Sequence, residues 1–131
     1  MSYISHVVDQ NNKSNNFREV LFTGQKSQLV IMNIPVGGEI GEETHAHVEQ
    51  TLFVIQGNGK AVLDGKETLL DAGDVVVVTP GTRHNIVNVG TGDMKITTIY
   101  APANHIDARI HATKADADAD KEDEAFGEAV I

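Results

Sequence analysis

The chain has 131 residues, 40% of them hydrophobic, no cysteine, and a formal net charge of −9. That length suits one domain with a real core, and the lack of cysteine excludes disulfides, thiolate catalysis and Cys-ligated zinc or iron–sulfur sites. The acidic balance argues against nucleic acid or anionic membrane as a partner, since both require a basic footprint.

The first 20 residues contain no apolar signal-peptide core, and the longest apolar runs, such as 29–32, are four residues long. Neither a signal peptide nor a membrane span is therefore expected, and the expectation is a soluble cytoplasmic protein. Strand signals then follow in order. Residues 17–23 and 28–34 are β-rich runs separated by Gly24-Gln25-Lys26, and Pro35 to Gly38 breaks the chain before an acidic approach from Glu39 to Glu43. Residues 51–56 form the next run, stopped by Gly57-Asn58-Gly59. Residues 60–64 and 66–70 flank Asp64-Gly65, a strong two-residue hairpin signal. Runs at 74–79, 85–89 and 95–100 complete the set, with Gly90 to Asp93 as the last turn. Roughly eight or more short strands, with no amphipathic helix of useful length, predict an all-β sandwich or barrel.

The chemistry-bearing feature is a pair of histidines, His45 and His47, with a third, His84, behind a run of four valines. Side chains at i and i+2 of a strand share a face, so His45 and His47 can close on one cation from a single wall. A third imidazole has to come from another strand, which a closed β-fold supplies.

These residues carry a family resemblance. The run from Thr44 through His45, His47, Glu49 and Gln50 to Gly57 resembles the first motif of the cupin superfamily, G-x5-H-x-H-x3-4-E-x6-G. The run from Gly73 through Pro80, Gly81 and His84 to Asn88 resembles the second, G-x5-P-x-G-x2-H-x3-N, after a 15-residue spacer. The resemblance covers about residues 37–100 and implies a jelly-roll barrel, the double-stranded β-helix, with a metal deep in its mouth. Three positions depart from the pattern. Glu39 stands where the first glycine would fall, and Thr79 stands where the proline would. Gln50 occupies the place of the glutamate, with Glu49 beside it. Strand parity puts Gln50, Leu52 and Val54 on one face, so Gln50 is taken as the fourth ligand, and Glu49 would need a backbone shift.

The ligand set implied is His45, His47, Gln50 and His84. Imidazoles joined by an amide oxygen suit Fe²⁺, Mn²⁺, Ni²⁺, Cu²⁺ or Zn²⁺. A neutral Gln oxygen is a weaker donor than carboxylate, so affinity is expected to be lower than at a 3-His-1-Glu site. Three functional classes follow. One is a metalloenzyme acting on a small oxygenated substrate, in the manner of cupin dioxygenases, isomerases or decarboxylases, which often carry a mannose-6-phosphate isomerase-like label. Another is a non-catalytic small-molecule or metal-binding module acting as a sensor or carrier. A third is a barrel serving assembly alone. The ionisable candidates near the mouth are Glu49, Tyr100 and Arg83, with Arg83 read as a surface residue. Because so few acid–base groups are available, redox or Lewis-acid chemistry is favoured. An apolar lining from Leu29, Ile31, Leu52, Val54, Val76 and Val78, or their facing neighbours, is expected.

The remaining motifs have bland readings. His6, His105 and His111 are read as surface or terminal residues. Gly57-Asn58-Gly59-Lys60 lacks the spacing and following helix of a phosphate loop. Asp74 and Asn88 are expected to fix turns, while Gly73 and Gly81 allow backbone angles closed to other residues. Residues 1–113 are read as the barrel domain. Residues 114–131 hold seven acids and two lysines and are read as a solvated or weakly helical acidic tail. Their D-x-D-x-D start fails as an EF-hand loop because Lys121 and Gly127 stand at its sixth and twelfth positions. Outward residues such as Phe53 and Ile55, with strand edges to cover, lead to the expectation of a homodimer.

Overall fold

The computed structural model describes residues 1–131. Ten strands and three short helices follow one another in the order α1 (Val7–Lys13), β1 (Arg18–Thr23), β2 (Gln28–Ile34), β3 (Glu43–Thr44), β4 (Glu49–Gln56), β5 (Asn58–Leu63), β6 (Lys66–Asp71), β7 (Val75–Val78), β8 (Arg83–Asn88), β9 (Met94–Ala101), β10 (Ile110–His111), α2 (Lys114–Ala119) and α3 (Lys121–Glu128). A six-stranded sheet, ordered β10-β1-β2-β9-β4-β7, faces a four-stranded one, ordered β3-β8-β5-β6. All pairings are antiparallel, which gives the jelly roll expected of the sequence.

Alternation builds the core. On β4, Gln50, Leu52 and Val54 are buried while Phe53 is 40% exposed. β2 turns Val30, Met32 and Ile34 inward, so on this strand it is the neighbours of Leu29 and Ile31 that line the barrel. Those three meet Leu52, Val54, Val76, Val78, Ile86 and Ile96 in one apolar cluster. Each fully buried side chain of this kind contributes about 1.5–3 kcal/mol. Asp64 and Gly65, with φ of 49° and 85°, form the tight turn between β5 and β6, as the Asp-Gly pair requires. Gly73 and Gly81 also take positive φ, 94° and 85°. Asp74 accepts the Asp71 amide, and Asn88 donates to the Ile34 and Gly92 carbonyls, so both fix turns.

Two features depart from expectation. Helix α1 lies on the outer face of the larger sheet, where Asn11 is fully buried. Asn11 donates to the Met32 carbonyl at 3.1 Å and accepts from the Thr97 hydroxyl at 2.9 Å. The acidic segment, expected as a solvated tail, is folded into α2 and α3 against the barrel mouth. Thr113 and Asp116 form a reciprocal capping box at the start of α2, and the Asp120 side chain caps α3 by accepting from the Asp123 amide. The alternating alanines favour helix, and the caps satisfy amides that would otherwise fray. None of the three helices is long and apolar enough to cross a membrane.

Candidate metal centre

The sheets open on one side to a cavity of roughly 620 Å³, walled on the barrel side by residues including Arg18, Glu43, His45 and His47. Helices α2 and α3 close the opposite wall through Asp118, Lys121 and Asp123, among others.

Glu43, His45 and His84 meet here. One ligand atom from each lies within 4.8 Å of the other two, close enough to hold one metal ion. The topology explains the meeting. Short strand β3 pairs with β8 so that Glu43 stands directly opposite His84, and His45, two residues beyond Glu43, stays on the same side. The rings of His45 and His84 are 5.1 Å apart. His45 Nε2 is 3.1 Å from Glu43 Oε2, without the alignment of a hydrogen bond, and no other partner reaches it.

His84 shows its chemistry most clearly. Its Nδ1 lies 2.9 Å from the Thr82 carbonyl oxygen. A carbonyl only accepts, so Nδ1 carries the proton and Nε2 presents a bare lone pair. That Nε2 is buried and has no partner in the chain. Burial pushes the imidazole below its ordinary range against the pull of the Thr82 hydrogen bond, and the charge on His45 lowers it further. The ring is therefore neutral, as ligation requires. Burial alone would raise the Glu43 carboxyl. The proximity of His45 and the charge of Arg18 outweigh it, so Glu43 is held below the usual carboxylate range. A buried polar atom without a partner costs free energy, and here two such nitrogens flank a carboxylate. Two imidazoles, that of His84 neutral, and one carboxylate are a donor set that fits a divalent transition ion.

The sequence-derived ligands divide. His45 and His84 are in the cluster. His47 is not: the chain leaves β3 after Thr44 and bends at Ala46 and His47, so strand alternation lapses between the two histidines. His47 is exposed and lines the same cavity from its rim. The expected meeting of three imidazoles is thus a meeting of two with Glu43. Gln50 is 2% exposed and points inward, whereas Glu49 is exposed on the other face. Gln50 Nε2 donates to the Thr98 hydroxyl at 3.1 Å, and that hydroxyl in turn donates to the Thr51 carbonyl at 3.0 Å. This relay leaves Gln50 Oε1 buried and without a donor.

Sequence reasoning passed over Glu43, although the same two-residue parity, applied one step earlier than the His-x-His pair, selects Glu43 with His45. Of the three ionisable candidates at the mouth, only Tyr100 stands against the site, its ring 6.3 Å from that of His45. Burial pushes its phenol up to about 12, so it stays protonated. Glu49 and Arg83 are exposed, and Arg83 pairs with Glu42 at 3.0 Å.

His105 and His111, expected at the surface, are 7% and 3% exposed. His105 Nδ1 lies 2.7 Å from Asp123 Oδ2, and His111 Nε2 lies 2.8 Å from Asp120 Oδ2. Both histidines bond to carboxylates of the acidic segment, whose helices pack against them; they lie outside the two motifs, so no local pattern marks them as buried. His111, Asp120 and Asp123 form a second group whose ligand atoms lie within 4.8 Å of one another.

Two facing antiparallel sheets around a mouth-side cluster of imidazole and carboxylate define a double-stranded β-helix protein. The sequence profile of the Cupin domain matches residues 30–100, and the chain belongs to that family. It is 38% identical to the uncharacterized protein YrkC of Bacillus subtilis over 112 residues, which cover 80% of this chain and 60% of that one. The chain thus spans less than two thirds of that relative's length. It is 28% identical to an oxalate-binding protein of Thermotoga maritima over 68 residues, 52% of this chain and 56% of that protein. Among solved structures, protein BH2720 from Bacillus halodurans superposes with a TM-score of 0.89 at 31% identity, covering 91% of this chain and 95% of that one.

Proposed function

We propose that this cupin is a metalloprotein in which Glu43, His45 and His84 hold one divalent transition ion, with Gln50 Oε1 as a further oxygen donor. The ligand it serves is a small oxygenated molecule. The observation that carries this reading is the buried, bare Nε2 of His84, held in its tautomer by the Thr82 carbonyl. When bound, an ion in such a site supplies Lewis-acid polarisation or dioxygen chemistry of the dioxygenase, isomerase or decarboxylase kind. The chain's own contribution is orientation. Thr82 aims His84, Thr98 aims the Gln50 amide, and Tyr100 walls the site with a phenol that remains a donor.

A non-catalytic carrier or sensor is the second reading. Tyr100 is held protonated and Glu43 belongs to the ligand group, so neither is free to act as a general base, and among the barrel-wall histidines only His47 at the rim is left. The binding activity in the name of the Thermotoga relative points the same way. The test is reconstitution of metal-free protein with Fe²⁺, Mn²⁺, Ni²⁺, Cu²⁺ or Zn²⁺, followed by a turnover screen over keto acids, diketones and sugars. Turnover lost in His84→Ala supports the enzyme. Saturable ligand binding without product favours the carrier, and absence of metal uptake in every case removes both readings.

Dimerisation belongs to the same proposal. Phe53, Val75, Val77 and Ile99 are 36–53% exposed on the outer face near edge strand β7. A second copy is the proposed cover, and a monomer by light scattering would contradict it.

A further inference from the structure

Arg18 is the first residue of β1, and it faces inward with Val20 at the mouth end of the barrel. It is 5% exposed, lines the cavity with Glu43 and His45, and lies over the Phe17 ring with its guanidinium carbon 5.3 Å from the centroid. Its Nε has no hydrogen-bond partner, and no carboxylate oxygen comes within 4.0 Å of the guanidinium. The two acids near enough to feel its charge, Glu43 and Asp123, are otherwise engaged. Glu43 belongs to the metal-ligand group, and Asp123 is taken by the His105 ring and the Ile106 amide. A buried cation without a close anion is costly, and the Phe17 ring and Tyr100 phenol beside this one supply no opposite charge.

We infer that Arg18 is the anchor for a carboxylate of the small ligand that reaches the Glu43–His45–His84 group. A guanidinium offers a planar fork matched to a carboxylate. The other cavity wall favours a small, singly held carboxylate over a phosphate dianion, because Asp118, Glu124 and Glu128 make it negative. The protonated Tyr100 phenol adjoins the guanidinium and adds a donor. The inference rests on the proposed reading of the same cavity, and names the class of ligand it takes.

The test is calorimetric titration of the full chain with the monoanions pyruvate, glycolate and lactate, each against its uncharged amide, and with inorganic phosphate, at matched ionic strength. Both chelator-treated and metal-loaded protein are used. Binding of at least one carboxylate, not its amide, is expected, and Arg18→Gln should weaken it roughly 10- to 100-fold. Arg18→Lys keeps the charge but loses the fork and should recover only part of the affinity. Arg18→Met removes an unrelieved buried charge, so its melting temperature in chloride should equal or exceed that of the parent, which a purely structural arginine would not allow. Equal carboxylate binding by Arg18→Gln, preference for phosphate, or indifference of the parent to all four anions would overturn the inference. Arg18-dependent binding without metal uptake keeps this inference and removes the metal reading. Metal uptake with Arg18-independent binding does the reverse.

Discussion

Two groups of histidine and carboxylate lie on the same cavity side of the molecule, yet their hydrogen bonding sets them apart. In the Glu43–His45–His84 group, the Nε2 atoms of both rings are buried without a hydrogen bond, and the nearest carboxylate oxygen, Glu43 Oε2, stands 3.1 Å from that of His45. In the His105–His111–Asp120–Asp123 group, the ring nitrogens facing the acids are already matched, His105 to Asp123 and His111 to Asp120. The acids are also saturated, since Asp123 takes the Ile106 amide and Asp120 takes Arg109 and the Asp123 amide. Similar residues therefore leave ring nitrogens open toward a carboxylate in one place and form a clasp that fastens α2 and α3 to the barrel in the other. Proximity of ligand atoms alone would not separate them; the difference is that the acid-facing nitrogens of His105 and His111 are occupied, which leaves only their far nitrogens, His105 Nε2 and His111 Nδ1, bare.

The largest expected effect separates the two groups outright. His84→Ala should abolish stoichiometric transition-metal uptake, while Asp123→Ala should leave it intact, as elemental analysis of protein purified without chelator would show. Stability should respond in the opposite sense. Asp123→Ala strands the Ile106 amide and the His105 ring and should cost about 2 kcal/mol in urea unfolding. His84→Ala in metal-free protein should cost less, because its Nε2 has no partner to lose.

Acidification sharpens the contrast. Burial holds the His105 ring below its ordinary value against the Asp123 hydrogen bond, so the unfolded chain protonates first. Its stabilising share is complete above about pH 6.5 and falls as pH drops from there. Asp123, also held low, contributes above about pH 3.9 and loses its share only below that. The His84 ring is held low in the same sense, so it is metal-free His84→Ala whose melting temperature should still decline between pH 7.5 and 5.5, and a flat or rising profile in that variant would contradict the clasp.

Gln50→Glu should tighten metal binding by about tenfold, because a carboxylate adds a negative charge to the donor set. The smallest effect is expected at Arg83, whose pair with Glu42 is exposed. Arg83→Ala should change stability by under about 0.5 kcal/mol.

Where the chain runs as a regular strand, its sequence announces its geometry. The alternation of Gln50, Leu52 and Val54 against Phe53 is visible in the residues because β4 is unbroken there. His45 and His47 fail the same rule because the bend at 46–47 ends the alternation. Glu43 is set opposite His84 by a two-residue strand paired across 41 positions, a long-range register that no local pattern encodes. The helices at the acidic end had a local signal in the Thr113–Asp116 cap, outweighed in the reading by the density of charge. Burial of His105, His111 and Arg18 is tertiary, since it depends on which segment closes the mouth.

The central claim is that the Glu43–His45–His84 group, and not the His105–His111–Asp120–Asp123 clasp, receives the ion. Crystals of metal-loaded protein, measured across the absorption edge of the bound element, test it directly. The account predicts one anomalous peak per chain within bonding distance of Glu43, His45 and His84. A peak at His111, Asp120 and Asp123 with none at the first group would contradict it.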